Sequence, residues 1–142
     1  PLPAPPPSIV LADGKWLTKG ASAYALSRKE RFPLLVLVYA TGIDQQATEP
    51  VIRMMDDPAV TSFSKGWLPM IKVDLATISS MVEEEKQFAR QVTQNNKIDK
   101  FPIVLILNGS YQADFSYGAT DLQKGADGFV EALQRIKSQV KQ

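Results

Sequence analysis

Seven apolar residues, Leu34 to Ala40, run unbroken between Phe32-Pro33 and Thr41-Gly42-Ile43-Asp44. A run so short and so continuously apolar suits a central strand buried on both faces. The flanks agree. Phe32 precedes a proline and so avoids helical backbone, which ends whatever helix comes before it. After the run, Thr41 to Asp44 reads as a turn. Asp44 is a candidate N-cap, and Glu49-Pro50 suits a helix first turn.

The rest of the chain supplies the other elements. Trp16 to Arg31 fits a helix, with Leu17, Ala21, Tyr24, Ala25 and Arg28 at helical spacing and Thr18 or Ser22 as a cap. The helix after Asp44 is expected to run to about Met55. Asp57-Pro58 is a second helix start, carrying Val60 and Phe63 and ending at Gly66. Trp67 to Leu75 reads as a strand, with Pro69 near its start because proline cannot donate to a ladder. Ser80-x-x-Glu83 resembles a capping box for a helix that turns Met81, Val82, Phe88, Ala89 and Val92 inward and stops at Asn95-Asn96. Phe101 to Leu107 is a third strand. Asn108-Gly109 signals a hairpin to Tyr111–Tyr117, whose Tyr111, Phe115 and Tyr117 are expected on one sheet face. Gly128 to Val140 is the last helix. A further strand is conceivable at Ile9 to Leu11.

Composition sets limits on function. The 142 residues suffice for one domain with a substantial core. Net charge is +1, from 16 basic and 15 acidic side chains, which leaves no electrostatic footprint for nucleic acid. No apolar run approaches the roughly 20 residues of a membrane-spanning helix. The chain holds neither cysteine nor histidine. That removes disulfides, thiolate nucleophiles, the usual general base near neutral pH and the common zinc ligands. No cofactor and no metal site is expected. Residues 1–14 open with a proline-rich stretch of polyproline II character and read as a linker; residues 15–142 read as the domain. The first residue is Pro1, not methionine, so a processed or trimmed chain, with a signal peptide or anchor ahead of it, is the expectation.

The order of elements, with the strand and turn at Leu35–Asp44, Asp57-Pro58-Ala59-Val60, Lys72-Val73-Asp74, Phe101-Pro102 and Gly118, resembles thioredoxin-like proteins of the secreted bacterial kind over roughly residues 15–140. The resemblance implies an α/β, three-layer α/β/α fold around a central mixed sheet of about four to five strands. It also implies a cis-proline at Pro102, facing the turn that carries Cys-x-x-Cys in the redox-active relatives. Here the matching positions are Gln46 and Glu49, with Gln45 in place of the family's tryptophan. Leu37 stands where some relatives bury an acidic residue as a proton relay. Thiol–disulfide exchange needs a sulfur nucleophile, so the family's redox activity does not carry over.

Two roles compete for Asp44, Gln45, Gln46, Thr48 and Glu49. Their acceptors can simply satisfy free N–H groups at a helix start, or they form a polar recognition surface. An acid/base pair of Glu49 and Asp44 lacks any visible set of oxyanion donors. Phe101-Pro102 either merely begins its strand or offers an edge to an extended peptide. The expectation is a non-enzymatic, redox-inactive module that binds a protein or peptide through Asp44, Gln45, Gln46, Thr48, Glu49, Phe101 and Pro102, in a periplasmic or otherwise exported setting. The alternatives are a structural or assembly domain in which the turn has no role, and a cytoplasmic location. Trp16 and Trp67 are expected to anchor the core margin, and Asp74 to end its strand rather than bind metal.

Overall fold

The computed structural model describes residues 11–17 and 19–139. Its elements are β1 (Trp16–Leu17), α1 (Gly20–Glu30), β2 (Leu34–Tyr39), α2 (Gln45–Met55), α3 (Pro58–Ser64), β3 (Met70–Asp74), a 3₁₀ turn (Leu75–Ser80), α4 (Glu83–Asn95), β4 (Ile103–Leu107), β5 (Ala113–Gly118) and α5 (Gly125–Gln139). The strands form one mixed sheet in the order β1-β3-β2-β4-β5. β1 and β2 pair parallel to β3, and β4 pairs antiparallel to both β2 and β5.

β2 shows why its sequence has no polar position. Leu35 and Leu37 face a core built with Val51 and Met55 of α2, Val60 of α3, and Phe129, Leu133 and Ile136 of α5. Leu34, Val36 and Val38 face a second core with Ala23 and Tyr24 of α1 and Phe88, Ala89 and Val92 of α4. Residues 34–38 are fully buried, as a strand between two helical layers must be. The three-layer α/β/α arrangement follows from covering both faces.

Several boundaries differ from the sequence expectation, each for a local reason. Trp16 and Leu17 are strand, paired with Met70 and Ile71; the helix begins at Gly20. A Cβ at Gly20 would lie 2.6 Å from the Phe88 ring, so glycine marks where α1 and α4 touch. Ser22 lies within the helix, Lys19 holds the N-cap position without a side-chain cap, and Glu85 reaches across to accept from the Ala21 N–H at 3.2 Å. Thr18 falls outside the described residues. The buried face of α1 is Ala23, Tyr24 and Ser27, not Ala21 and Ala25.

The capping box at Ser80 does not form. Ser80 ends the 3₁₀ turn, and Val82, at the N-cap position, is 63% exposed rather than in the core. Strand β3 starts only at Met70, after Pro69, whose carbonyl accepts from the Leu35 N–H.

The hairpin is longer than Asn108-Gly109 suggests. Leu107 pairs with Ala113, with a register shift beside it, so residues 108–112 form the loop. The shift sends Tyr111 to the other face, where it stacks on Tyr24 with ring centroids 4.1 Å apart. Phe115 and Tyr117 pack toward α5, Tyr117 edge-on to Phe129. The last helix starts at Gly125, three residues early, and Val140 lies outside the described residues. So do Ile9 and Val10 of the conceivable first strand, and the whole of the proline-rich stretch. Ala12 is buried and accepts from the Gly66 N–H, so the packed body takes in residues before 15.

Candidate functional site

The turn after β2 is held from several directions. Asp74, the last residue of β3, accepts from the Thr41 N–H at 3.0 Å and the Thr41 hydroxyl at 2.6 Å. The same carboxylate accepts from the Ala76 N–H and caps the 3₁₀ turn. Partial burial pushes the Asp74 carboxyl up, but the hydrogen bonds from Thr41 and Ala76 outweigh it and hold it below its ordinary value. Gly42 has φ +89° and donates to the Gln45 side-chain oxygen at 3.1 Å. The Ile43 N–H closes the turn onto the Ala40 carbonyl at 3.0 Å. In the sequence Asp74 shows only as a strand end; the signal for its further role is that Thr41 and Asp74 follow or end two adjacent parallel strands.

Asp44 occupies the N-cap position of α2 but does not cap it. Its backbone is left-handed, at φ +49°, and its side chain makes no capping bond. Its carbonyl accepts from the N–H groups of Ala47 and Thr48, while the Asp44 side chain turns to the surface. Pro50 lies inside the helix rather than in its first turn. It has no N–H to give the Gln46 carbonyl one turn back. Gln45, Gln46 and Glu49 are exposed, whereas Thr48 is fully buried and its hydroxyl has no hydrogen-bond partner. Thr48 therefore lies beneath the surface expected to include it. Leu37, at the relay position, is also fully buried and apolar.

Across from the turn, the Phe101–Pro102 peptide bond is cis. Phe101 is half-buried and Pro102 buried. An open groove of about 450 Å³ joins Asp44 to Phe101 and Pro102, with residues 96–100 along one side and Gly118 to Asp121 along another. Among the predicted residues, Asp44, Phe101 and Pro102 thus line one groove, while Gln45, Gln46 and Glu49 lie outside its lining.

Sequence reasoning missed the wall at Gly118 to Asp121, where the Asp121 carboxylate accepts from the Gly118 N–H at 2.9 Å. Nor does the sequence single out Asn96, which it marks only as a helix stop. The Asn96 amide donates to the carbonyls of Val92 and Tyr111 and accepts from the Ala113 N–H, tying α4 to the hairpin beside the groove. A larger opening of about 810 Å³, lined by Arg28, Arg31, Asn108 and Asp114 among others, lies at the opposite end of the sheet and holds none of these residues. Among the described residues, no group of three or more acidic side chains is placed to hold a metal ion. None of the described helices is long and apolar enough to cross a membrane.

No family model matches this sequence, and no curated protein matches it either. A solved structure titled "DsbH Oxidoreductase" superposes with a TM-score of 0.65 at 18% identity, covering 85% of this chain and 82% of that one. The fold is thioredoxin-like. At that identity the likeness speaks for architecture alone. This chain contains no cysteine and so offers no thiol for thiol–disulfide exchange.

Proposed function

We propose that this chain is a redox-inactive thioredoxin-like module that binds a protein or an extended peptide in the groove between the Thr41–Asp44 turn and the Phe101–Pro102 edge. The observation that carries it is the groove itself: it brings Asp44, Phe101 and Pro102 together from separate parts of the chain, in a fold left with no thiol chemistry. Gln46 and Glu49, exposed on the first turns of α2, extend the surface beside it. A periplasmic or otherwise exported location belongs to the same proposal, supported by the resemblance to thioredoxin-like proteins of the secreted bacterial kind.

Two experiments test the function. In an insulin-reduction assay the chain should give no turbidity above buffer; clear activity overturns redox inactivity. A random 12-residue peptide library panned on the chain should yield binders that Thr120→Arg, which places a long side chain in the groove, weakens at least tenfold. An absence of binders, or binders indifferent to Thr120→Arg, removes the groove from the function.

A further inference from the structure

Ile43 is 52% exposed, one of two large apolar side chains so placed among the described residues, the other being Val82. A lone exposed isoleucine is ordinary on a protein surface. This one differs in how it is mounted. Both neighbours before it are fixed: Thr41 through its N–H and hydroxyl to Asp74, and Gly42 through its N–H to Gln45. Its own N–H is closed onto Ala40. The next residue, Asp44, adopts a left-handed backbone and lines the groove. The chain thus uses two positive-φ residues and a side-chain latch to hold an apolar group outward next to Asp44, which belongs to the groove's lining.

A β-branched side chain on a pinned backbone has little freedom left to lose. It is therefore a preorganised contact of the kind that concentrates binding energy.

We infer, granting the groove its proposed role, that Ile43 is the anchor of this surface and that its partner is an extended segment pairing a large apolar side chain with a basic one. The apolar group seats on Ile43, which loses its water on contact. The basic group is called for by Asp44, adjacent in the chain and facing the same groove, and by Asp121 on the far wall. Neither carboxylate has an ion-pair partner among the described residues, where the single ion pair joins Lys72 to Asp56. A peptide carrying a positive charge satisfies them; an acidic one meets repulsion. The groove's other charged residues, Lys97, Asp99 and Lys100, belong to its 96–100 side, so its lining as a whole carries three carboxylates against two lysines.

The peptide library separates this inference from the function it rests on. Peptides that Thr120→Arg displaces should be enriched in a large apolar residue next to Lys or Arg. Ile43→Ser should weaken them at least tenfold and Ile43→Leu less than threefold, with Val82→Ser as the control that changes nothing. Asp44→Lys should cost the basic peptides at least fivefold. Because Ile43 is exposed, Ile43→Ser should leave the melting temperature within about 2 °C, so lost binding is not lost folding. Groove-dependent peptides that ignore Ile43→Ser, or that are acidic, overturn the anchor while the groove stands. If no peptide depends on Thr120, both fall.

Discussion

At the residue scale, Thr48 carries a cost that nothing in its surroundings offsets. Its hydroxyl is fully buried without a partner, and a buried group left unpaired forfeits its hydrogen bonds to water. Thr48→Val keeps the branched shape and removes the orphan. It should stabilise the chain by about 1 kcal/mol, read as a higher urea midpoint at unchanged slope; a loss of stability would mean that the hydroxyl is bonded after all. Asp74 is the opposite case, one carboxylate serving three donors. Its folded-state pKa is depressed, so its contribution is fully present above the unfolded carboxyl value and is lost as pH falls through the folded one. Asp74→Ala should therefore cost about 1–2 kcal/mol near neutral pH. The gap from the parent chain should narrow as the solution is taken below the ordinary carboxylate range, in paired denaturation curves. A gap that widened in acid would contradict the sign.

At the scale of elements, the contact between α1 and α4 depends on a missing side chain. The Cβ of Gly20→Ala would meet the Phe88 ring at 2.6 Å and Ile71 at 3.1 Å, and Phe88 is only 2% exposed, with little room to give. The substitution should cost about 1–3 kcal/mol despite alanine's better helix propensity; thermal unfolding showing no loss would mean that the helices shift freely. This glycine also marks the limit of what could be read from sequence. Helical spacing located α1 but could not show that Trp16 and Leu17, at its expected start, instead pair with β3, because a two-residue strand has no period of its own. β2, α2, α3 and β4 were legible, since continuous apolar runs and the Asp57-Pro58 start report on local structure. The Asp57 carboxylate does cap, accepting from the Ala59 N–H at 2.8 Å. The sequence overstates Asp44 and Ser80 as caps and understates the 108–112 loop. Capping residue types permit a cap without requiring one, and tertiary contacts such as the Asn96 clamp decide loop length. The candidate site was legible in part: Asp44, Phe101 and Pro102 converge, while Gly118 to Asp121 joins them only through the strand pairing of β4 with β5.

For the whole molecule, the sheet is shared by two cores, so neither helical layer can be lost without uncovering the other's floor. Residues of β2 and β4 alternate between the cores on α2, α3 and α5 and on α1 and α4. Both tryptophans report on one side only: Trp67 belongs to the first core, and Trp16 packs against it while donating its indole N–H to Asp56 at 2.7 Å. That asymmetry makes cooperativity measurable. Val92→Ala, on α4 in the second core, removes buried methyls and should cost about 1–3 kcal/mol. If the sheet couples the layers, tryptophan fluorescence should move to the same lower midpoint as far-UV circular dichroism, as for a single transition. Ile136→Val on α5 should cost about 0.5–1.5 kcal/mol, and the pair should add to within about 0.5 kcal/mol, since the two sites share no core. A fluorescence transition that ignores Val92→Ala would show the α1–α4 layer melting alone. The latch that holds the turn would then be weaker than its hydrogen bonds indicate, because Asp74 ends a strand whose Ile71 and Val73 are floored in that second core.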